Sequence, residues 1–396
     1  MYRVLTFLGL SVLALLSIGV LVLASAGSEN GIRFYGNPYH FVTRQAVWLV
    51  AALVAMAIAA CFDYHKWREY PWLTIAFYVG VILLMSAVFL FREVNGSRRW
   101  LIFGPIRLQP SELGKLAVVI VTAVFLDRTG WLVAKFWKGA FRAVLIVGVL
   151  MGLAVLEPDF GATMVIAGTA AVMFLVSGMK IWHMITLGVL GSIPVLALLA
   201  TNKNRMNRIF SWLNSMFGQA MSDGGMVVEL SAKEKAAAHQ IEMALVAMRN
   251  GGATGVGFNN SYQKLKYLPE AHTDCIFAVG AEEWGLIFSL LLVALYVTIL
   301  VCGIIIAVRS DRLGRLMAYG MTFLLVFQAF FNIGVVTKCF PTKGIALPFI
   351  SYGGTNLISA LVAIGVLFNI GRQIELPKLR PRSTISPVFE PEPEGV

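Results

Sequence analysis

Apolar runs of about 20 residues recur along almost the whole chain, and they constrain its fold more than any other feature. Of the 396 residues, 58% are hydrophobic and only 13% are charged, which is typical of a polytopic membrane protein. About ten runs are long enough, or nearly so, to cross a bilayer as helices. They lie at 4–26, 45–62, 73–91, 112–126, 141–156, 160–178, 182–200, 276–308, 315–337 and 352–371. Continuous rather than alternating hydrophobicity excludes a transmembrane β-barrel, so an all-α fold is predicted.

The first apolar run ends in Ala24-Ser25-Ala26, which resembles a signal-peptidase site. The run is nevertheless longer than the roughly 7–15 apolar residues of a secretory signal. We therefore expect the first helix to be retained as a membrane span.

The distribution of basic residues predicts the orientation of the spans. One set of short connections carries about fifteen Lys and Arg residues and the opposite set about eight. This bias places both termini in the cytoplasm and the long 201–275 segment, between helices 7 and 8, outside the cell. The net charge of +11 reflects this asymmetry and favours contact with anionic membrane lipids. No basic domain stands apart from the spans, so nucleic acid is not an expected partner.

Two regions outside the spans have their own organisation. The stretch "KEKAAAHQIEMALVAMRNGG" places Ile241, Leu245 and Met248 on one side of a helix that should end near Gly251. It is predicted to lie at the interface or to cap a cavity, because an eleventh span would reverse the charge bias. The chain therefore divides into a membrane domain, 1–371, and a Pro-rich tail, 372–396, predicted to be disordered and cytoplasmic.

The segment "NGSRRWLIFGPIRLQPSELGKLAVVI" places ionisable groups where a span begins. Arg98, Arg99 and Trp100 lie at the predicted outer interface, where Trp and Arg residues often serve only as anchors. Ser111, Glu112 and Lys115 follow Pro110 in the first turns of a helix. Glu112 and Lys115 share a helix face. A charge pair inside a span indicates either a functional cavity or a buried pair that ties helices together.

Two further outer segments carry carboxylates. In "LEPDFGATM", Glu157 and Asp159 could bind a cation or accept hydrogen bonds, or could simply be solvated turn residues. In "YQKLKYLPEAHTDCIFAVGAEEWG", Lys264 and Lys266 would lie on one side of an extended segment and could contact a pyrophosphate. An aspartate at the lip of a cavity, such as Asp274 beside His272, is suited to general-base catalysis because partial desolvation raises its pKa.

The last such segment, "TKCFPTKGIALPFISYGGTNLIS", is rich in Pro and Gly at membrane depth. Irregular backbone is tolerated there only when it is buried in protein or lines a wet cavity. Lys343, Ser351, Tyr352 and Thr355 could line that cavity. The alternative is a re-entrant packing element without chemistry.

Taken in order, these motifs resemble the SEDS family (shape, elongation, division and sporulation), whose ten-span members include FtsW and RodA. The outer stretches "NRMNRIFSWLN", "NNSYQKLKYLPEAHTD" and "PTKG" resemble the FtsW branch more than the RodA branch. The resemblance implies a glycosyltransferase that polymerises lipid II at the outer face of the bacterial cytoplasmic (inner) membrane. It also implies a class B penicillin-binding protein as partner, among other division or elongation proteins.

The resemblance also implies roles for individual residues. The essential aspartate of the family's "HTD" motif falls on Asp274, and positions implicated in activity fall on Trp100, Glu112 and Lys115. The chain departs from the family at Cys275 and Trp284, which we interpret as packing changes. Candidate catalytic residues are therefore Asp274, Glu112 and Lys115. Candidate substrate-binding residues are Arg98, Arg99, Trp100, Gln109, Ser111, Lys264, Lys266, His272, Lys343 and Ser351.

The hypothesis that follows is an inverting transfer from an undecaprenyl-pyrophosphate-linked donor. Asp274 would take the proton of the acceptor hydroxyl, and cationic side chains would stabilise the departing pyrophosphate. A divalent cation, Mg²⁺ or Mn²⁺, could share that second task; no organic cofactor is expected and no metal ligands are assigned. Two alternatives stay open: a lipid II flippase, and a non-catalytic scaffold for the penicillin-binding protein.

Overall fold

The structure is a computed structural model that describes residues 1–93, 98–104, 106–200, 232–264, 272–340 and 344–379. Its α-helices are α1 (Tyr2–Ala26), α2 (Ser28–Tyr35), α3 (His40–Cys61), α4 (Lys66–Glu69), α5 (Pro71–Ala87), α6 (Pro110–Thr129), α7 (Phe141–Leu156), α8 (Phe160–Val176), α9 (Ile181–Ala200), α10 (Ala232–Gly251), α11 (Ile276–Arg309), α12 (Arg312–Val336) and α13 (Gly354–Leu379). Short 3₁₀ or π turns cover Val88–Leu90, Gly130–Ala134 and Phe136–Ala140. The predicted all-α membrane fold is confirmed.

The helices coincide with the predicted spans. Within the described residues, eight helices are long and apolar enough to cross a membrane. Shorter apolar helices, Phe160–Val176 and Ile181–Gly191, lie at the two other predicted positions. The protein therefore crosses the membrane several times, while the count of ten spans stays a prediction.

Apolar side chains cover the outside of the helix bundle, and its mainly apolar interior also contains buried polar side chains. In the apolar windows of α6, α12 and α13, 61–67% of residues are buried, against 17% in α3. Helix α3 and its neighbours instead expose side chains such as Val47, Val50 and Leu83, as expected for surfaces that contact lipid. Buried polar groups concentrate on the central helices, where hydrocarbon cannot reach them.

Contacts between helix ends define two ends of the bundle. At one end, which we call the site end, Gln109 contacts both Asp159 and Thr355. At the other, the opposite end, Tyr64 donates to Asp311, and the amino group of Met1 pairs with Glu375 at 2.8 Å. The first and last spans therefore start and finish at the same end, as the predicted orientation requires.

Helix α10 forms as predicted and ends at Gly251. Ile241 packs against Phe331 and Val335 of α12, and Leu245 lies beside them. The loop that follows lies directly on α11 where that helix kinks at Gly285, whose φ of 73° belongs to the left-handed region. Backbone N–H groups of Val256 and Gly257 donate to the carbonyls of Glu282 and Glu283, so the loop supplies hydrogen bonds at the kink.

Two local features differ from the sequence prediction. Leu101–Phe103 and Ile106–Leu108 pair as a short antiparallel hairpin, which the search for spans did not detect. Helix α13 continues to Leu379, eight residues into the predicted tail 372–396. Polar contacts stabilise this extension, because Gln373 donates to Asp63 and Glu375 pairs with the amino terminus. Residues 380–396 lie outside the described ones.

Candidate functional site

Glu112 and Lys115 form a buried ion pair on α6, with 2.7 Å between Lys115 Nζ and Glu112 Oε2. Helix α6 starts at Pro110, whose fixed φ and missing N–H suit the first helical position. Both side chains therefore lie within the first two turns of the helix, facing α12 and α13. Ser359 of α13 donates to Glu112 at 3.0 Å. Two charges removed from water need such partners, because desolvation alone costs several kcal/mol for each ion.

Two amides on α12 connect this pair to the irregular segment after that helix. Gln328 accepts from Lys115 Nζ at 2.7 Å and donates to the Ala346 carbonyl at 2.9 Å. Asn332, one helical turn later, donates to the backbone carbonyls of Asp274 (3.1 Å) and Ile345. We did not single out either amide in the sequence. The available signal was their i, i+4 spacing in an otherwise apolar span, which places both on one helix face.

Asp274 lies half-buried just before α11, at the site end. The irregular segment that starts at Gly344 holds this region through Ser351, which donates to the Thr273 carbonyl at 2.6 Å and accepts from the Leu347 N–H. The side chain of Asp274 fills the space beside Gly344. The described part of this segment is irregular and largely buried against protein, as predicted for non-helical backbone at membrane depth.

Replacing Gly344 with alanine should lower activity by a factor on the order of 10², because displacing a reacting group by about 1 Å costs that much. A methyl group at position 344 would overlap Oδ2 of Asp274, so the carboxylate must move. Gly344 itself is exposed, and we therefore expect little change in thermal stability. The measurement is the initial rate of the purified variant together with its unfolding temperature.

The matched control is Gly353→Ala, in the same segment. There a methyl group would make an ordinary contact of 3.7 Å with Asn356, so no group need move. Equal rates for the two variants would contradict the importance of the Asp274 position.

A second polar cluster joins the first turns of three helices. Asp159, the N-cap of α8, accepts from the backbone N–H of Ala162, from Ser111 at 2.8 Å and from the Gln109 side chain at 2.7 Å. The Gln109 backbone N–H donates to Thr355 in the first turn of α13. The amino-terminal ends of α6, α8 and α13 therefore converge. Each carries a partial positive charge from its helix dipole, which favours a nearby anion.

Glu157 lies beside this cluster in the turn between α7 and α8. Its side chain is fully buried, and its two carboxylate oxygens have no hydrogen-bond partner among the described residues. Burial, reinforced by the charge of Asp159, raises the pKa of Glu157 to about 8. This carboxyl is therefore mostly protonated at pH 7 and can donate a hydrogen bond, which the solvated-turn interpretation did not anticipate.

The structure places Lys264 away from Asp274 and Lys115. Its buried ammonium group contacts Glu283 at 3.1 Å, and both Ser25 and Asn259 at 2.7 Å. With three protein oxygens around it, this amine clamps the loop onto α1 and α11. That placement favours a structural role over contact with a pyrophosphate. Lys266 was also predicted to contact a pyrophosphate, and Lys343 to line the cavity. Both lie outside the described residues.

The remaining predicted substrate-binding residues lie around the site end. The Arg98 side chain is exposed and pairs with Glu93 at 3.2 Å, while Arg99 Nε is buried without a hydrogen-bond partner among the described residues. Trp100 is half-buried just before the hairpin. His272 packs between Phe41 and Tyr352, with ring centroids at 4.3 and 5.8 Å. Arg98 and Arg99 are the permanently charged cations of this group.

The predicted divalent cation finds no obvious ligands among the described residues. In the part of the chain that the structure describes, no three His, Cys, Asp or Glu side chains lie close enough together to hold a metal ion. The divalent cation therefore stays a prediction without assigned ligands.

Comparison with known proteins places this arrangement in a family. The family model FTSW_RODA_SPOVE, described as cell cycle protein, matches residues 6–376. A probable peptidoglycan glycosyltransferase FtsW of Coxiella burnetii is 38% identical over 370 residues, which cover 92% of this chain and 95% of the relative. The corresponding FtsW of Pseudomonas fluorescens is 36% identical, with 90% of this chain and 85% of the relative covered.

Solved structures share the fold. A chain from a study of structural coordination of polymerization and crosslinking by a peptidoglycan synthase complex superposes with a TM-score of 0.72 at 25% identity. The match covers 93% of this chain and 98% of that one. The rod shape determining protein RodA of Thermus thermophilus gives a TM-score of 0.64 at 25% identity, covering 92% and 96% of the two chains. The chain therefore belongs to the FtsW, RodA and SpoVE family of membrane proteins.

Proposed function

We propose that this protein is a peptidoglycan glycosyltransferase that polymerises lipid II into glycan strands during cell division. The observation that carries the proposal is that one face of α12 contacts both regions: Asn332 holds the Asp274 backbone carbonyl, and Gln328 contacts Lys115 of the buried Glu112–Lys115 pair. An exposed acid alone would mean little. A half-buried carboxylate whose backbone is held by Asn332, one helical turn from the Gln328 that contacts a buried cation, suits acid–base chemistry. The family's named relatives support the same activity.

In the proposed reaction, a sugar hydroxyl of one lipid II molecule attacks the anomeric carbon of the other. The new C–O bond forms on the face opposite the leaving group, as the bond to the undecaprenyl pyrophosphate breaks, so the configuration inverts. Asp274 takes the hydroxyl proton, and the departing pyrophosphate carries away the electron pair of the broken bond. Asp274 is half-buried, and its carboxylate lies beside the exposed Gly344 at the site end.

Positive charge for the leaving group comes from several sources at this end. The converging amino termini of α6, α8 and α13 supply fixed dipoles, and Arg98 and Arg99 supply full charges. Lys115 is held inside the bundle by Glu112 and Gln328. It therefore stabilises the leaving group through its electrostatic potential and not by direct contact. A divalent cation would supply further charge neutralisation if it arrives with the substrate.

The site end faces outward in this proposal, and both termini lie in the cytoplasm, because the basic connections cluster at the opposite end. The membrane is the bacterial inner membrane. The partner is a class B penicillin-binding protein that crosslinks the new strands. One similar solved chain comes from a peptidoglycan synthase complex whose study concerns both polymerization and crosslinking.

The test uses purified full-length protein with labelled lipid II, with and without a class B partner and Mg²⁺ or Mn²⁺. Products are separated by size. Ladders of glycan that depend on this protein support the polymerase. An absence of polymer under every condition, together with lipid II movement across sealed vesicles, would identify a flippase instead. An absence of both, with retained partner binding, would identify a scaffold.

A further inference from the structure

Exposed tryptophans gather at the end of the bundle opposite the site. Trp131 and Trp137 are each 71% exposed, and Trp72 and Trp182 are 66% and 77% exposed. Trp72 and Trp182 lie in the first turns of α5 and α9, while the other two lie between α6 and α7. Indole rings in such numbers at one level of a helix bundle are typical of the membrane–water interface.

The segment between α6 and α7 is held in a fixed shape. Two short turns, Gly130–Ala134 and Phe136–Ala140, fold against each other, and Gly139 packs directly on the backbone of Leu132 and Val133. A side chain at position 139 would overlap that backbone. Phe136 packs edge-on against His183 of α9 at 5.4 Å, which fixes the segment to the neighbouring helix.

Within the part of the chain that the structure describes, the cations of this segment have no acidic partners. From Arg128 to Leu156 the sequence has Arg128, Lys135, Lys138 and Arg142 and no Asp or Glu. Asp127, the preceding acid, is already paired with Arg68 at 3.4 Å. Among the described residues, no carboxylate lies within ion-pair distance of Lys135, Lys138 or Arg142.

The aromatic and cationic side chains form one surface. Lys135 Nζ lies 4.6 Å from the centroid of the Trp131 ring, a cation–π distance. Trp137 packs on Phe136 and Phe141 with centroids at 5.2 and 5.4 Å. We call the exposed residues of this segment the aromatic–basic surface; they are Trp131, Lys135, Trp137, Lys138 and Arg142.

We propose that the aromatic–basic surface binds the phosphate headgroups of anionic phospholipids in the leaflet at this end of the bundle. Its charge is complementary to such headgroups, and its exposed indoles match the depth at which headgroups lie. An acidic soluble protein would use the cations but would have no need of exposed indoles at the bilayer interface. The surface lies at the other end of the bundle from Asp274, and this inference does not rest on the proposed function.

The test compares lipid retention by the purified full-length protein in detergent micelles that contain equimolar phosphatidylglycerol and phosphatidylcholine. Native mass spectrometry counts the bound lipids. The test variant is K135Q/K138Q/R142Q. The matched control, R3Q/R309Q/R315Q, removes the same charge from exposed arginines at the same end of the bundle, away from the clustered tryptophans.

We expect wild type and control to retain phosphatidylglycerol in preference to phosphatidylcholine. The test variant should lose that preference by a factor on the order of 10², because each of the three cations near a membrane surface contributes about fivefold to anionic lipid binding. W131L/W137L keeps every charge, and it should lower the retention of both lipids because the indoles that anchor headgroups are gone. Monodisperse elution and unchanged thermal unfolding check that each variant is folded.

Two outcomes would overturn the proposal. An unchanged lipid ratio in folded K135Q/K138Q/R142Q would show that the surface binds something else, such as an acidic protein segment. An equal loss in the control would show a general charge effect without a site. If the triple variant does not fold, K138Q and R142Q are measured singly, and each should lower the preference several-fold.

Discussion

Replacing Asp274 with asparagine should lower the rate of glycan polymerisation by a factor on the order of 10²–10⁴, the usual contribution of a general base. Asparagine has nearly the same shape as aspartate but cannot accept the proton of the attacking hydroxyl. Two contacts that position this region use the backbone, since Asn332 donates to the Asp274 carbonyl and Ser351 to that of Thr273. The substitution therefore leaves them in place. The measurement is the initial rate with labelled lipid II.

The control for this prediction is Glu69→Gln, which makes the same chemical change at an exposed position on the opposite end of the bundle. It should polymerise at the wild-type rate. A normal rate in well-folded Asp274→Asn would remove Asp274 from the mechanism. A lowered rate accompanied by a large fall in unfolding temperature would instead assign it a structural role.

The sequence was most informative about the elements that hydrophobicity or helix chemistry determines. Spans follow from uninterrupted apolar runs, Pro110 correctly predicted the start of α6, and Asn250-Gly251 the end of α10. The 101–108 hairpin was missed because each strand has only three residues, too few for a reliable alternating pattern.

The candidate site could be predicted from the sequence in part. Charged residues inside or beside a span attract attention because their burial is costly, which is why Glu112, Lys115 and Asp274 were proposed. Gln328 and Asn332 are uncharged and lie in an apolar run, yet in the structure Gln328 contacts Lys115 and Asn332 contacts the Asp274 backbone. Their partners are far away in the sequence, so only the fold shows the connection.

For Lys264, local sequence reasoning suggested a ligand contact where the structure shows a structural ion pair. An extended segment would direct Lys264 and Lys266 to one side, and two amines near carboxylates suggest a phosphate site. In the structure the loop folds back on the kink at Gly285, and Glu283, 19 residues later, takes the Lys264 ammonium group. The roles of all the site residues stay predictions until variants are measured.

Breaking the Glu112–Lys115 pair should be the most destabilising single change in the site. Glu112→Gln and Lys115→Met should each lower the free energy of unfolding by about 3–5 kcal/mol, because each leaves the other charge buried and unpaired. The double variant Glu112→Met/Lys115→Met removes both charges. It should be less stable than wild type by only about 1–3 kcal/mol, because the Gln328 oxygen loses its partner while the Ser359 hydroxyl still donates to the Asn356 carbonyl. Chemical unfolding in detergent micelles gives the three values.

Activity of the double variant separates the two roles that the pair could have. If Lys115 stabilises the leaving group through its field, the double variant should be stable and nearly inactive. If the pair only ties α6 to α12 and α13, activity should return together with stability. The matched control is Thr122→Val, a buried position on the same helix whose hydroxyl has no hydrogen-bond partner among the described residues. It should change neither quantity, because no charge or hydrogen bond is lost there.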